Sequence, residues 1–288
     1  MTMPPSTKTT IGLDVGGTRI RAARVTLDGE MSQHIVEPVV ADRVGFVDQL
    51  FRMINTVRDN TTCGIGIGIP GRVLGSTGRI VTAGYLEIDG MALTDLVSAK
   101  ALLPCRVLND AAMALIAEGR DSDGLIAMIT VGTGVGGALL LDGQPFLGGD
   151  FAGQFGHIIV APDGPVCNCG RQGCVETLSA GPALGALIAK ENLPKHLTAA
   201  EILLAATNGN IAANKIIEAW VAPMERAVQT LVAVVDPSRI IFGGGLGIDM
   251  AQALNARNNC STWFDRPIVP ARLGDDAGVI GAGLAAFL

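Results

Sequence analysis

Four side chains of the types that bind metal ions lie within a short stretch of the sequence. They follow the spacing H-x9-C-x-C-x4-C and are His157, Cys167, Cys169 and Cys174. One histidine and three cysteines form a standard tetrahedral set for zinc, and because the protein fills all four positions, the pattern predicts a structural metal. Gly170 and Gly173 allow the tight turns that converging thiolates require. A disulfide is the competing explanation, but cysteines two positions apart pair poorly and a reducing compartment keeps thiols free.

Glycine-rich loops between apolar runs indicate a second kind of chemistry. Asp14-Val15-Gly16-Gly17-Thr18 and Gly132-Thr133-Gly134 each sit between two predicted strands, where glycine lets backbone N–H groups approach an anion. A tight turn explains either loop alone equally well. Two loops in matched positions, together with a triple glycine ahead of a predicted helix, favour a nucleotide site. The candidate nucleotide-binding residues are Asp14, Gly16, Gly17, Thr18, Gly132, Thr133, Gly134, Gly244 and Gly245.

The carboxylate of Asp14 would repel a phosphate group unless a cation lay between them. We therefore expect Mg²⁺ near Asp14, held through water, because this ion retains much of its hydration in proteins. The sequence contains no G-x4-G-K-[ST] motif of the P-loop NTPases. Its partial match to a dinucleotide-binding fingerprint, GTGVGG at 132–137, leads into a β-like run rather than a helix.

A polar pair, Asn109-Asp110, follows a predicted strand and precedes a predicted helix over residues 111–119. A carboxylate at the end of a strand can accept the proton of a substrate hydroxyl as a general base. Aspartate is also favoured as the N-cap of a helix, and from this segment alone the cap is the simpler explanation. The two roles can coexist in one side chain.

The segments that must position these residues alternate between strands and helices, which indicates an α/β architecture. Residues 9–30 predict a strand, a glycine turn, a second strand and an Asp-Gly turn, and residues 126–144 repeat this order. The chain therefore consists of two similar halves that each open with a glycine hairpin. Residues 63–73 predict a strand that runs into a Pro-Gly loop, 105–110 a strand that ends at a polar pair, and 239–247 a strand that runs into a triple-glycine loop. Helices are predicted over 44–60, 93–101, 177–191, 198–207, 211–235 and 275–288.

Composition limits the class of protein. The chain has 288 residues, enough for two domains, and 49% of them are hydrophobic. A net charge of −6 without a basic stripe argues against a nucleic-acid partner. Because there is no apolar run of membrane-spanning length and no signal-peptide layout, we expect a cytoplasmic protein without a membrane partner. Outside the cluster, Cys63, Cys105 and Cys260 are expected to be buried core thiols.

Together these motifs resemble the ROK family (repressors, open reading frames and kinases) of the actin-like sugar-kinase superfamily. The resemblance covers nearly the whole chain and rests on DVGGT (14–18), GIGIPG (66–71), LNDA (108–111), GTGVGG (132–137), the cysteine segment (153–176), GGG (243–245) and DAGVIGA (276–282). It implies an α/β fold of the actin-like ATPase (ribonuclease H-like) type, with two domains flanking a cleft. We expect a small N-terminal domain of residues 1–108 plus the helix 276–288, and a large domain of residues 109–275 with the zinc site.

The resemblance also implies roles for particular residues. Asp110 resembles the catalytic base that takes the proton from the 6-hydroxyl of a sugar. His157 would bind zinc with one ring nitrogen and the sugar with the other. Glu176 resembles a sugar-binding group, and the alternative is that it is a solvated acid in the first turn of a helix. Many family members have Glu where Gln154 stands, which bears on the preferred sugar, and AGYLEIDG (83–90) replaces the usual Asn-Leu and Trp. The expected substrate-binding residues are Gly71, Asn109, Gln154, His157 and Glu176.

The activity that the resemblance implies is an ATP-dependent hexokinase acting on glucose or an N-acylhexosamine, such as N-acetylmannosamine or N-acetylglucosamine. Its ligands would be ATP, Mg²⁺, a structural Zn²⁺ and the hexose, and we expect a homodimer. The alternatives are a sugar-sensing regulator of the same family and a non-catalytic sugar-binding protein. Such regulators carry a winged helix before the kinase-like part, whereas here the first glycine loop begins at residue 14.

Overall fold

A computed structural model of the chain describes residues 8–257 and 265–288, which form two compact units. The first unit consists of residues 8–122, Leu140–Ala152 and Asp275–Leu288. The second consists of Asp123–Leu139 and the described part of Gly153–Gly274. Cys260 lies outside the described residues. Within the described ranges, none of the helices combines the length and the apolar character that crossing a bilayer requires.

Strands and helices alternate along the chain, as the sequence predicts. The strands are β1 (Thr9–Val15), β2 (Arg19–Thr26), β3 (Met31–Pro38), β4 (Thr62–Ile69), β5 (Arg72–Leu74), β6 (Arg79–Thr82), β7 (Cys105–Asn109), β8 (Leu125–Val131), β9 (Val135–Leu141), β10 (Gln144–Pro145), β11 (Arg239–Gly243) and β12 (Ile268–Pro270). The helices are α1 (Arg43–Val57), α2 (Leu93–Ala101), α3 (Asp110–Gly119), α4 (Glu176–Ser179), α5 (Gly181–Lys190), α6 (Ala199–Thr207), α7 (Ile211–Val235), α8 (Gly247–Arg257) and α9 (Ala277–Ala285). Single 3₁₀ turns span Phe155–His157 and Gly274–Asp276.

Two five-stranded sheets share one strand order. The order is β3-β2-β1-β4-β7 in the first sheet and β10-β9-β8-β11-β12 in the second, where β10 belongs to the first unit. Counted along each half, both sheets read 3-2-1-4-5, so the repeat seen in the sequence is a repeat of topology. In the first sheet β1 and β2 pair antiparallel, while β1, β4 and β7 run parallel. The carboxyl ends of these three parallel strands therefore meet at one edge of the sheet.

Helix α9 covers the first sheet at very short distance. A side chain at Gly12 of β1 or at Gly66 of β4 would overlap the backbone of α9 at Val279 or Ala282. The missing side chains thus let the helix backbone rest directly on the strands. The strands themselves are buried, with Ile11, Leu13, Ile65 and Ile67 fully inaccessible to solvent.

The boundary between the units differs from the sequence expectation of a break after residue 108. Helix α3 begins just after this residue and packs closely on α9. The contact is so close that a side chain at Gly281 of α9 would overlap the backbone of Met113 in α3. Residues Asp110–Ser122 and the segment Leu140–Ala152 therefore belong to the first unit. The contact between α3 and α9 joins segments far apart in sequence, so no local pattern reveals it.

Two smaller expectations were wrong. The helix predicted over 177–191 is interrupted at Ala180, whose backbone is extended (φ −80°, ψ 173°), and the following N–H of Gly181 donates to the Gly132 carbonyl at 2.8 Å. This bond to a loop replaces the one that a continuous helix would make. Cys63 and Cys105 are half-buried on their strands rather than enclosed in the core.

Candidate active site

Two aspartates at the carboxyl ends of β1 and β7 form the centre of the candidate site in the first unit. We call Asp14 and Asp110 the acidic pair. Strand β4 runs between the two strands, and its register places Gly68 beside Asp14 on one side and Leu108 on the other. A Cβ atom at Gly68 would lie 3.6 Å from both the Asp14 Oδ1 atom and the Asp110 Cα atom. A Cβ atom there would contact both residues, so the lack of a side chain at Gly68 leaves room beside the acidic pair.

Asp14 is surrounded by charged and close-packed neighbours. Its Oδ2 atom lies 3.5 Å from Nη1 of Arg21, its cross-strand partner on β2, and only 14% of its side chain is exposed. The pKa of Asp14 is raised from 3.8 to about 6: burial raises it most, the Arg21 cation lowers it, and the negative charge of Asp275 raises it. A Cβ atom on Gly278 would come within 2.5 Å of the carboxyl carbon of Asp14.

Asp110 begins α3, and Asn109 is the N-cap. The side-chain oxygens of both residues accept the N–H of Ala111, at 2.8 Å for Asp110 and 2.9 Å for Asn109. The amide of Asn109 also donates to the Gly71 carbonyl at 2.8 Å. The pKa of Asp110 is raised from 3.8 to about 6: burial raises it most and the charge of Asp14 adds to this, while the bonds from Ala111 and Asn109 lower it. Asn109, and not Asp110, occupies the N-cap position of α3.

This arrangement suits proton transfer near neutral pH. A carboxyl group with a pKa of about 6 is mostly ionised at pH 7 and is more basic than an ordinary aspartate, which is the condition that favours a general base. Two such groups, near enough to interact electrostatically, also offer the oxygen ligands that a hydrated divalent cation prefers. Groups with strongly raised pKa values are enriched at functional sites.

The first glycine loop connects β1 to β2 beside the acidic pair. The N–H of Gly16 donates to the Arg19 carbonyl at 2.8 Å, which closes the turn. Gly17 and Thr18 are exposed, and an added Cβ at Gly17 would meet no protein atom within 4 Å. The Tyr85 hydroxyl donates to the Gly16 carbonyl at 2.6 Å and ties residues 83–90 to this loop.

Sequence reasoning missed Arg21, Tyr85 and Asp275 as members of this group. A signal for Arg21 existed, because a hairpin that turns at residues 16–18 places residue 21 opposite residue 14. Asp275 bonds Arg21 across 254 positions of sequence and Tyr85 bonds Gly16 across 69 positions. No local pattern predicts contacts of that length.

The second unit brings the other glycine loops together. The Leu246 N–H donates to the Val131 carbonyl at 2.9 Å, next to the loop Gly132–Gly134, and Gly181 donates to the carbonyl of Gly132. Gly244 has φ +79°, and a Cβ there would overlap Val131, so only glycine fits. At Gly132 and Gly245, by contrast, an added Cβ would meet no protein atom within 4 Å. Thr133 is exposed at the tip of its loop.

Glu176, the first residue of α4, holds the second glycine loop. Its Oε2 atom accepts the N–H of Val135 at 2.9 Å, and a Cβ atom on Gly134 would lie 2.7 Å from that oxygen. The carboxylate is therefore a partly buried acceptor rather than a freely solvated acid. Its bond to Val135 engages one of two carboxylate oxygens.

The cysteine cluster brings four side chains close enough together to hold one metal ion. The ligand atoms of His157, Cys167, Cys169 and Cys174 all lie within 4.8 Å of one another. Nδ1 of His157 is 3.6 Å from Cys167 Sγ, and Cys169 Sγ is 3.6 Å from Cys174 Sγ. A tetrahedron with Zn–S bonds of ~2.3 Å has edges of about 3.7 Å, so these separations fit zinc. They are far too long for a disulfide, whose sulfurs lie ~2.05 Å apart.

The chain around the cluster turns where the sequence indicates. Gly170 and Gly173 have φ values of +85° and +74°, and a Cβ atom on Gly173 would overlap Ala161. His157 ends the 3₁₀ turn, and its N–H donates to the Gln154 carbonyl at 3.1 Å. Because the Nδ1 atom of His157 faces the thiols, its Nε2 atom is the nitrogen left for another ligand. Gln154, His157 and Glu176 lie in the second unit, whereas Gly71 and Asn109 lie in the first.

Comparison with known proteins identifies relatives over nearly the whole chain. The ROK family model matches residues 10–286. The chain is 30% identical to an N-acetylmannosamine kinase of Yersinia pseudotuberculosis over 287 residues, which cover 95% of this chain and 97% of that protein. It is also 30% identical to a glucokinase of Halalkalibacterium halodurans over 308 residues, covering 95% and 93% of the two chains.

A solved structure confirms the predicted fold class. The ROK family glucokinase from Streptomyces griseus, crystallised with glucose and AMPPNP, superposes with a TM-score of 0.78 at 27% identity. The superposition covers 97% of this chain and 99% of that one. The actin-like α/β architecture expected from the motifs is therefore the fold of this protein.

Proposed function

The chain belongs to the ROK family, and from this premise we propose that it is a sugar kinase that transfers the γ-phosphoryl group of ATP to the 6-hydroxyl of a hexose. The relatives phosphorylate sugars, as the names N-acetylmannosamine kinase and glucokinase state. The observation that carries the proposal is the acidic pair, two carboxyl groups with pKa values of about 6 beside a glycine loop. The hexose is glucose or an N-acylhexosamine, of which N-acetylmannosamine and N-acetylglucosamine are the candidates.

Asp110 is the general base of the proposed reaction. Its carboxylate accepts the proton of the sugar O6–H, O6 forms a bond to the γ-phosphorus, and the bond from that phosphorus to the bridging oxygen breaks to release ADP. Phosphoryl transfer needs mainly positioning and neutralisation of charge, so one well-placed carboxylate suffices as the proton acceptor. Asn109 bonds Gly71 and caps α3, and thereby fixes the backbone from which Asp110 projects.

Two metal ions complete the proposal. The oxygen ligands near Asp14 suit Mg²⁺, which would screen the phosphate charges when bound. The Cys₃His cluster suits Zn²⁺, and His157 would join it to the sugar pocket, because a metal-bound imidazole holds its other N–H in a fixed direction. Gln154, which precedes His157 by a few positions, and Glu176, which follows the last cysteine of the cluster, are the other proposed sugar contacts in the second unit.

The glycine loops bind the nucleotide phosphates in this proposal. Gly16, Gly17 and Thr18 contribute from the first unit. The second unit contributes Gly132, Thr133, Gly134, Gly244 and Gly245. Support comes from Gly17, Gly132 and Gly245, where an added Cβ atom would meet no protein atom within 4 Å, so close packing does not explain the choice of glycine. Close approach of the backbone to a ligand does explain it.

We predict that Gly17→Ala raises the KM for ATP about tenfold, since a hydrogen bond to a charged group is worth about 1.5–3 kcal/mol and the added methyl group obstructs its formation. Thermal stability should change little, because the methyl group enters open space. Gly185→Ala on the exposed side of α5 is the matched control, since it also enters open space and should only stabilise the helix. An unchanged KM for ATP in Gly17→Ala would contradict the role of this loop.

The proposed activity is tested by coupled ATP turnover with glucose, mannose, N-acetylglucosamine and N-acetylmannosamine. We expect sugar-dependent release of ADP with at least one of them, and the product should carry phosphate on O6. Binding of a sugar without turnover would instead favour the regulator or the non-catalytic sugar-binding protein. The dimeric state and the cytoplasmic location stay predictions.

A further inference from the structure

Arg21 is a largely buried cation at the base of the first glycine loop. Only 16% of its side chain is exposed. It faces Asp14 across the β1–β2 ladder, with Val15 and Ile20 as the next pair toward the loop. Directly opposed residues of an antiparallel pair share one face of the sheet. The guanidinium therefore lies on the face of Asp14, one residue pair below the loop that the proposed function assigns to phosphate binding.

The partners of Arg21 leave it loosely held. Nη1 is 3.5 Å from Asp14, which is long for a charged hydrogen bond. Nη2 is 2.7 Å from Asp275, but the side chain of Asp275 is 86% exposed. Exposed ion pairs contribute little free energy. A ligand with a stronger negative charge can therefore draw the guanidinium away from Asp275.

The local charge balance needs this cation. Asp14, Asp110 and Asp275 interact electrostatically in series, since Asp14 raises the pKa of Asp110 and Asp275 raises the pKa of Asp14. The described ion pairs of Asp14 and Asp275 are both with Arg21. Without it, the terminal phosphates of ATP would face three carboxylates. Arginine presents a planar fork of donors that matches phosphate oxygens.

We propose that Arg21 binds the terminal phosphates of the nucleotide, and that Asp275 positions its guanidinium until the nucleotide arrives. This inference rests on the proposed function, because it takes the first glycine loop as the phosphate site. Arg21 then supplies a fixed positive charge beside the acidic pair. The transferred phosphoryl group needs such charge neutralisation as it leaves ADP.

Calorimetric binding of AMP, ADP and a non-hydrolysable ATP analogue, each with Mg²⁺, tests the proposal. In Arg21→Gln we expect the affinities for ADP and the analogue to fall about tenfold or more, as the loss of a charge-assisted bond to phosphate predicts, and that for AMP to stay within about twofold. Arg21→Lys keeps the charge without the fork and should fall between Arg21→Gln and the wild type. Asp275→Asn should bind ADP at least as tightly as the wild type.

Arg24→Gln is the matched control, because Arg24 lies on the same strand and is paired with Asp59 instead. It should leave all three affinities unchanged. Wild-type affinity of Arg21→Gln for ADP and the analogue would overturn the proposal, and so would an equal loss for AMP, which indicates general damage. Arg21→Lys, which keeps Asp14 paired, decides the matter if Arg21→Gln does not fold. A wild-type protein that binds no nucleotide would contradict the proposed function itself.

Discussion

Asp110→Asn is expected to lower kcat by about 10²- to 10⁴-fold, which is the contribution of a positioned general base. Asparagine keeps the size of the side chain and the oxygen that accepts the N–H of Ala111, so the start of α3 should remain intact. The sugar affinity should therefore change little. Steady-state kinetics with the preferred sugar measure both quantities. Turnover near that of the wild type would refute the assignment of the base.

The same variant should be more stable than the wild type at neutral pH. Folding raises the pKa of Asp110 from 3.8 to about 6, so the ionised carboxylate is less favourable in the native state than in the unfolded chain. The cost is absent below pH 3.8 and grows as the pH rises toward 6. This pKa difference corresponds to ~3 kcal/mol of destabilisation at most, because part of it is repulsion between Asp110 and Asp14. Thermal melting at pH 7.5 should show a higher Tm for Asp110→Asn.

The pH profile gives an independent check. The rate of the wild type should fall as the pH drops through about 6, because a protonated Asp110 cannot accept the sugar proton. Asp95→Asn is the matched control, since Asp95 is an exposed acid in the first turn of α2 in the same unit. It should change neither turnover at neutral pH nor the fall in rate at acidic pH. If the rate of Asp110→Asn still fell as the pH dropped through about 6, another group would be the base.

Cys169→Ser is expected to abolish metal binding, because it removes one of four ligands, and to weaken sugar binding about tenfold or more, because the ring of His157 is then no longer oriented. Loss of even an outer-shell partner of a metal ligand costs about 10- to 100-fold in metal affinity or activity. Cys169 is the exposed member of the cluster, so its replacement does not open a cavity in the core. The Tm should also fall, because metal binding contributes to folding. Elemental analysis and sugar titration measure the two effects together.

Cys63→Ser controls for the loss of a thiol outside the cluster. Cys63 is half-buried on β4 in the first unit, away from the cluster in sequence. Its substitution should leave both metal content and sugar affinity unchanged. A wild-type protein that holds no zinc after purification without chelators would contradict the prediction. So would a Cys169→Ser variant that loses the metal and binds the sugar normally.

The sequence predicts this site well where its geometry is local. The cysteine spacing and the two glycines at positive φ suffice to predict a four-ligand cluster, because all ligands lie within one short segment. The glycine hairpins are also local, and their turns fall where the dipeptides indicate. The break at Ala180 escaped prediction because it depends on a bond to Gly132, which lies far away in sequence.

The relation between Asp14 and Asp110 is not local and could not be read from spacing. It depends on the parallel register of β1, β4 and β7 and on the absence of a side chain at Gly68. The raised pKa values follow from that proximity and from burial, so they too required the structure. The same holds for the assignment of α3 to the first unit, which results from its packing on α9.

The packing of α9 on β1 and β4 has a consequence for how this protein is made. Ribosomes deliver β7 roughly 170 residues before α9, a delay of ~10–30 s at ordinary rates of synthesis. During that interval the apolar surface that α9 covers in the folded protein is uncovered, although every strand of its sheet has already been synthesised. We therefore expect this apolar surface of the nascent chain to be open to aggregation until α9 has been synthesised and has packed on β1 and β4.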